Sequence, residues 1–291
     1  MRDELRALVG RNLRMTAETL RICRTFAAVS VPHFVLKGAA LGEAIYGNAG
    51  LRDSADIDIL VPQGNASHCL AMLQDMGYRR RGDAFSSKPA LSRFRGFVAK
   101  DLLLYNAETD KLMELHWRLN ENPYCLPLPA DFWKHTAEPQ GEGFPILPPM
   151  LWALFLACHG SVCHFTQLKW LTDLYVIQAR FPEITPETLL AEAERHGVSR
   201  PVRQTLTLLA LVYGTELPEE LQLAAEEDKL LCYLVADSLR ALESPEVVDG
   251  ARSLRHGVEA MRRLRYRLTL SKRLDYRMFE IIRPLWRWSR I

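Results

Sequence analysis

The chain has 291 residues, of which 48% are apolar and 25% charged. This composition predicts a globular protein with a sizeable core and excludes disordered, collagen-like and coiled-coil classes. No apolar run reaches the roughly 20 residues that cross a bilayer, and the charged first residues are unlike a signal peptide. We expect a soluble, cytoplasmic protein whose six scattered cysteines, with no CxxC pair, stay reduced.

The net charge of +2 is unevenly distributed along the chain. Residues 251–291 hold 12 Lys and Arg against three acids, which leaves 25 basic and 32 acidic residues in 1–250, a net charge of −7. This distribution argues against a uniformly basic nucleic-acid-binding protein.

The pattern of apolar residues and turn signals changes near Pro148. The first half predicts helices at 4–28, 39–46 and 66–76, strands at 33–36, 56–61 and 111–116, and β-type runs at 94–99 and 102–105. The second half predicts helices near 150–160, 167–180, 186–195, 201–213, 218–242 and 251–270. We therefore predict an α+β protein with an N-terminal helix (1–30), a small mixed-sheet core (31–147) and a helical domain (148–291) that ends in the basic segment.

The most informative stretch is the predicted strand Asp-Ile-Asp-Ile-Leu-Val at 56–61. If Ile57 and Ile59 are buried on one face, Asp56 and Asp58 share the other face. Two neighbouring carboxylates repel each other unless a cation lies between them, and Mg²⁺ prefers such oxygen ligands. The alternative is a solvated strand edge with two exposed carboxylates.

An anion site is predicted upstream, where the strand Phe34-Val35-Leu36 is followed by Lys37, Gly38 and a helix. Free backbone N–H groups at a helix N-terminus attract phosphate, Gly38 allows close approach, and Lys37 adds a positive charge. The alternative is a plain turn with a solvated lysine. Arg52 lies four residues before Asp56 and is placed either to reach a phosphate or to pair with an acid.

A third acid is available in the strand Leu112-Met113-Glu114-Leu115-His116, where Leu112, Glu114 and His116 share a face. If this strand pairs beside the Asp56 strand, three acids converge as in sites that hold two divalent ions for phosphoryl transfer. The alternative is an edge-strand Glu114 with its charge in water.

These motifs, in this order, resemble the nucleotidyltransferase superfamily that shares the DNA polymerase β fold. The segments VLKGAALGEAIYG, LRDSADIDILV, MELHWRL and ACHGSVCHFTQLKWLTDL are more closely similar to an uncharacterised nucleotidyltransferase family found beside bacterial polysaccharide and peptide natural-product genes. The resemblance covers residues 33–180, with a weaker echo at Ile281-Ile282-Arg283-Pro284. One departure is Ala39, which follows Gly38 where the wider superfamily usually has Ser or Gly.

The resemblance implies a nucleotidyltransferase that moves a nucleoside monophosphate, or a phosphoryl group, from an NTP to an acceptor hydroxyl. Asp56, Asp58 and Glu114 would hold Mg²⁺ or Mn²⁺, and Lys37 with Gly38 would bind the triphosphate. The acceptor would be a small molecule, glycan or peptide, with polysaccharide or peptide natural-product biosynthesis as the context. The alternative is a non-catalytic module of the same fold that binds a biosynthetic partner.

Four polar residues of the helical half are further candidates by resemblance, as contacts to nucleotide or acceptor: His159, His164, Lys169 and Asp173. Lys169 and Asp173 are also placed to form a surface ion pair at i,i+4. The run Cys158 to His164 is unlike a zinc site, because Cys158 and Cys163 lie about 140° apart on a helix.

The basic segment 251–291 interleaves arginines with Tyr266, Tyr276, Phe279, Trp286 and Trp288. Such a mixture suits an anionic membrane surface, a nucleic acid or an acidic acceptor. We expect instead that the segment packs its aromatic side chains on the rest of the protein, since residues 1–250 are net negative.

Overall fold

The computed structural model describes residues 2–80, 99–135, 143–219, 221–222, 227–243 and 255–288. The chain divides into two compact units. The first contains residues 1–121 and 128–148, and the second contains residues 122–127 and 149–291. The N-terminal helix thus belongs to the first unit, and six residues from the first half of the chain belong to the second.

In its described residues, the first unit combines helices with five strands. The helices are α1 (Arg2–Ala27), α2 (Ala39–Tyr46), α3 (Ala66–Asp75) and the short α4 (Phe132–His135), and two 3₁₀ turns span Ala49–Leu51 and Gln63–Asn65. The strands are β1 (Phe34–Val35), β2 (Asp56–Leu60), β3 (Tyr78–Arg80), β4 (Asp101–Asn106) and β5 (Lys111–His116). The predicted β-type run at 94–99 lies outside the described residues except for Ala99, and β3 and α4 were not predicted.

The five strands form one mixed sheet in the order β1-β2-β5-β4-β3. β2 and β5 pair in parallel with Asp58 opposite Glu114, and the other pairings are antiparallel. Both acid-bearing strands are therefore flanked on both sides by other strands. The structure contradicts the solvated-edge alternatives for the two acidic motifs.

One face of the sheet carries the core of this unit. Ile57, Ile59, Met113 and Leu115 pack there with apolar residues of α1 and α3 such as Ile22 and Leu73. Because side chains alternate along a strand, the same register turns the acidic side chains of β2 and β5 to the opposite face. Burial of the apolar side chains on one face therefore determines that the acidic side chains lie on the other face.

The second unit is helical. Its helices are α5 (Pro149–Val162), α6 (Leu168–Arg180), α7 (Pro186–Arg195), α8 (Ser199–Tyr213), α9 (Lys229–Glu243), α10 (Arg255–Thr269) and α11 (Leu274–Trp288). Together the two units confirm the α+β class with a helical C-terminal region.

The predicted single helix at 218–242 is wrong, because Asp228 is not helical. Its carboxylate accepts hydrogen bonds from the backbone N–H groups of Leu230 and Leu231, at 2.9 and 3.1 Å. Asp228 therefore begins α9 in the manner of a helix N-cap.

Much of the basic segment is packed within the second unit. Tyr266 of α10 and Tyr276 and Phe279 of α11 are buried. Tyr266 stacks on His164, with ring centroids 3.7 Å apart, and Arg262 donates two hydrogen bonds to the buried Asp237. The side chains of Trp286 and Trp288 lie outside the described residues, so the expectation for them stays a prediction.

Residues 122–127 are tied to α11 through Asn122. Its amide donates to the backbone oxygen of Tyr276 at 3.0 Å and to Glu280 Oε1 at 2.9 Å. Asn122 is buried, so these bonds satisfy an amide that would otherwise be costly to remove from water.

Within the described part of the chain, every helix falls short of the length and apolar character that crossing a bilayer requires. All six cysteines lie in the described residues, and none is part of a disulfide.

Candidate active site

The acidic face of the sheet is assembled by the register of β2 and β5. Asp56, Asp58 and Leu60 pair with Leu112, Glu114 and His116 respectively, and alternation places them on the face opposite Ile57 and Ile59. β4 adds Asp101, which lies opposite His116. Carboxylates from three adjacent strands are thus brought to one surface.

Asp58 is almost fully buried and has two cationic or polar partners. Lys37 Nζ and His116 Nε2 each lie 3.1 Å from Asp58 Oδ1. Burial raises the pKa of Asp58, but Lys37 and His116 outweigh burial and hold the pKa well below its usual range. Its second oxygen, Oδ2, is buried with no hydrogen-bond partner.

Asp56 experiences the opposite balance. Burial and the charge of Asp58 raise its pKa, and Lys37 only partly compensates. The ionised form of Asp56 is therefore poorly stabilised by its surroundings. Two positions along β2, Asp58 Oδ2 lacks a hydrogen-bond partner. A cation placed between Asp56 and Asp58 would relieve both conditions.

Three atoms from Asp58, Glu114 and His116 converge within 4.8 Å of one another. His116 Nε2 is 3.1 Å from Asp58 Oδ1 and 3.1 Å from Glu114 Oε2. His116 Nε2 is placed to donate a hydrogen bond to either carboxylate, so these two distances are those of hydrogen bonds. The unpartnered Asp58 Oδ2 and the neighbouring Asp56 are the carboxylate oxygens that suit a divalent ion.

Hydrogen bonding also shifts the pKa values of Glu114 and His116. The bond with His116, assisted by the charge of Lys100, lowers the pKa of Glu114 to about 2. Burial lowers the pKa of His116, but its contacts with Asp58 and Glu114 outweigh burial and raise the pKa overall. Glu114 is accordingly ionised at neutral pH and is a weak base.

A second lysine, Lys100, lies at the Glu114 end of the acidic face. Its ammonium contacts Asp101, lies 3.2 Å from Glu114 Oε2 and 3.5 Å from His116 Nδ1. The Lys100 carbonyl accepts hydrogen bonds from the N–H groups of Trp117 and Arg118, at 2.9 and 3.3 Å, which fixes its backbone beside the end of β5. The acidic face is therefore bounded by Lys37 at one end and Lys100 at the other.

The turn between β1 and α2 passes beside the start of β2. Gly38 has a φ of 66° and a ψ of −131°, a conformation that favours glycine. A Cβ at Gly38 would lie 3.2 Å from Ser54 Oγ. Although Ala39 replaces the usual serine after the glycine, a hydroxyl from Ser54 thus lies next to this turn.

Of the remaining predicted site residues, Arg52 belongs to the first unit, and Lys169 and Asp173 belong to the second. Arg52 is buried, and its Cβ lies 3.2 Å from where a Cβ would stand at Gly42 of α2. Lys169 and Asp173 lie on α6 of the second unit, where Asp173 is buried. Their proposed contacts to a substrate stay predictions.

The two candidate histidines of the second unit have local partners. The ring of His159 packs edge-on against Trp170, with centroids 5.2 Å apart. His164 Nδ1 lies 2.7 Å from Asp237 Oδ2. Among the described residues the metal-type cluster is the one on the sheet of the first unit.

A cavity of about 610 Å³ opens where β2 and β5 begin. Its lining includes cationic and anionic groups, Arg11, Asp53, Asp110 and Lys111, together with Tyr105. Ser54, which lies two residues before β2, and Leu112 of β5 also line it. The cavity is therefore polar and lies at the starts of the two strands that carry Asp56 and Glu114.

Sequence reasoning gave no role to three members of this face, His116, Lys100 and Asp101. His116 was visible as a residue sharing the face of Glu114, and its alternation within β5 was the signal that could have assigned it. Lys100 had no such signal, since it precedes β4 outside every motif, and only the pairing of β4 with β5 brings it to Glu114.

A comparison with protein families agrees with this geometry. The model of a family described as uncharacterised nucleotidyltransferase matches residues 1–214. A search of the curated proteins finds no match to this chain.

Proposed function

Because the chain belongs to this family of uncharacterised nucleotidyltransferases, we propose that it transfers a nucleoside monophosphate from an NTP to an acceptor hydroxyl with the help of Mg²⁺ or Mn²⁺. The observation that carries the proposal is the buried, unpartnered Asp58 Oδ2 within an array of acids beside a glycine turn. Such an oxygen is costly to bury unless a ligand completes it. A divalent ion is the ligand that this donor set suits.

The reaction would break the bond between the α-phosphorus and the oxygen that bridges it to the β-phosphate. The acceptor oxygen forms the new bond to the α-phosphorus, pyrophosphate leaves, and the hydroxyl proton passes to solvent water. A bound divalent ion would supply charge neutralisation at the phosphate oxygens. The remaining tasks fall to side chains of this chain.

Lys37 and the first N–H groups of α2 would hold the triphosphate. Lys37 carries its charge into the site, since the Asp58 and Asp56 charges outweigh burial and raise its pKa. The positive end of α2 and the close approach allowed at Gly38 favour an anion at the same place.

Asp56 and Asp58 would hold the ion, and Glu114 would complete the site. With a pKa of about 2, Glu114 is poorly suited to removing a proton from a hydroxyl at neutral pH. We therefore assign Glu114 to orienting rather than to deprotonating the acceptor. The polar cavity beside Ser54 is the place we propose for the acceptor or for the sugar of the nucleotide.

The direct test is incubation with each of the four NTPs and Mg²⁺ or Mn²⁺. Calorimetry should show NTP binding that requires the divalent ion, and pyrophosphate should appear when a panel of sugars, glycans and peptides is added. Asp56→Asn should lose this binding, since it removes a metal-facing charge while the ion pair of Lys37 with Asp58 stays in place. NTP binding that ignores the metal, or no binding at all, would favour the non-catalytic alternative.

A further inference from the structure

We propose that Lys100 takes the place of the second divalent ion, so that this site works with a single metal ion. This inference rests on the proposed function. In two-ion sites the metals lie about 4 Å apart, and they stabilise the attacking and the leaving oxygen respectively. In this site the ammonium group of Lys100 would occupy one of the two metal positions, the one beside Glu114.

The partners of the carboxylate oxygens show where a positive charge is still needed. Asp58 Oδ1 is contacted by Lys37 and His116, and Glu114 Oε2 is contacted by His116 and Lys100. Asp58 Oδ2 has no partner, and it belongs to the carboxylate nearest Asp56 along β2. The negative charge of Glu114 is thus already neutralised by Lys100. The pair Asp56 and Asp58 still has an oxygen without a positively charged or hydrogen-bonding partner.

Lys100 is built into the site. Hydrogen bonds from Trp117 and Arg118 to its carbonyl hold its backbone against the residues that follow β5. Its ammonium is shared between Asp101 and Glu114, two acids that come from adjacent strands. A divalent ion on Glu114 would have to displace that ammonium or tolerate it as a like charge at close range.

The role follows from this placement. Lys100 neutralises Glu114 and holds its carboxylate in position, while one ion, held by Asp56 and Asp58, meets the triphosphate. Lys100 is accordingly a positioning residue, acting through Glu114.

The test counts bound metal instead of measuring activity. The full chain is equilibrated by dialysis against Mn²⁺ and tripolyphosphate, which occupies a triphosphate position whatever the base preference. Atomic absorption then gives the excess of Mn²⁺ on the protein side of the membrane. We expect one Mn²⁺ per chain for the wild type and for Lys100→Arg, which keeps the charge, and two for Lys100→Met, which keeps the stem and loses the charge.

Each other outcome has a separate meaning. Two Mn²⁺ on the wild type would overturn the Lys100 inference and leave the proposed function standing, whereas none would overturn both. A single Mn²⁺ on folded Lys100→Met would show that the ammonium does not hold the second position. If Lys100→Met does not fold, as judged by circular dichroism, the wild-type count still decides.

Discussion

Asp56 and Asp58 carry the same side chain two positions apart, yet their surroundings shift their pKa values in opposite directions. Burial and a neighbouring charge penalise ionised Asp56, whereas Lys37 and His116 support ionised Asp58. The difference arises because Lys37, the second residue after β1, forms its ion pair with Asp58. Without a metal, Asp56 is a source of strain and Asp58 is part of a buried ion pair.

Replacing each acid by asparagine should therefore affect stability with opposite sign. Asp56→Asn should make the chain more stable at neutral pH, because it removes repulsion from Asp58. Asp58→Asn should cost about 3 kcal/mol or more, because it leaves the buried Lys37 unpaired. Chemical denaturation measures both, and both variants should lose divalent-dependent NTP binding in calorimetry.

The two stability differences should also depend on pH. The folded-state pKa of Asp56 is raised, so its destabilising effect grows as the pH rises through the ordinary carboxyl range. The folded-state pKa of Asp58 is lowered, so its contribution is present above that range and is lost in acid. Both differences should shrink near pH 4 and below. Two variants that shift stability in the same direction at neutral pH would contradict this account.

Among the elements of the first unit, the turn from β1 into α2 carries the clearest backbone constraint. Gly38 combines a positive φ with a close neighbour, Ser54, on the segment leading into β2. Its backbone also brings the N-terminus of α2 beside the acidic face. The same residue therefore serves both the local conformation and the proposed phosphate position.

Gly38→Ala should destabilise the chain by about 1–3 kcal/mol, since alanine disfavours this backbone conformation and its Cβ would press on Ser54 Oγ. Gly64→Ala is a suitable control, because Gly64 lacks a positive φ and a Cβ there meets no atom within 4 Å. Thermal and chemical denaturation give the stability, and titration with tripolyphosphate and Mn²⁺ gives the binding, which should weaken. Adding Ser54→Ala to Gly38→Ala should recover only part of the loss. Equal stability of the Gly38 and Gly64 variants would show that the turn is not constrained.

Strand alternation made the acidic faces of β2 and β5 predictable from the sequence. Ile57 and Ile59 alternate with Asp56 and Asp58, and Met113 and Leu115 alternate with Glu114 and His116, so the acidic side of each strand could be inferred from its own sequence. Which strands become neighbours depends on contacts between distant segments, which no local pattern encodes. The approach of Lys100 to Glu114 and of Lys37 to Asp58 therefore required the structure.

At the scale of the whole molecule, the C-terminal basic segment acts as part of the helical unit's core. Tyr266 is fully buried, and its hydroxyl accepts a hydrogen bond of 2.7 Å from the buried amide of Gln204. The sequence indicated the packing of aromatics here, but α11 was not predicted. Its Pro284 is an unfavourable residue inside a helix, and burial of Tyr276 and Phe279 compensates for it.

Ending the chain at Gly250 should sharply lower the melting temperature of the helical unit, because the truncation uncovers the surface beneath these aromatic side chains. Tyr266→Ala is a milder change. It should lower the free energy of unfolding by about 3–5 kcal/mol, which is typical when a large buried aromatic residue is replaced by alanine. Met261→Ala on the same helix is the control, since Met261 is 73% exposed and should change stability by less than about 0.5 kcal/mol. Differential scanning calorimetry resolves these effects. A truncated chain that melts like the parent would assign the segment to binding a polyanion or a membrane surface.

The assignment of residues 122–127 to the helical unit has a consequence for how the chain is made. Asn122 leaves the ribosome long before its partners, since Tyr276 and Glu280 follow it by 154 and 158 residues. The residues of the sheet-containing unit are complete once position 148 has been synthesised, so that unit can fold while synthesis continues. The polar groups of residues 122–127 then stay solvated until α11 has been synthesised. Nascent chains released before α11 would therefore keep an uncovered segment in the middle of their sequence, where a protease could cleave them.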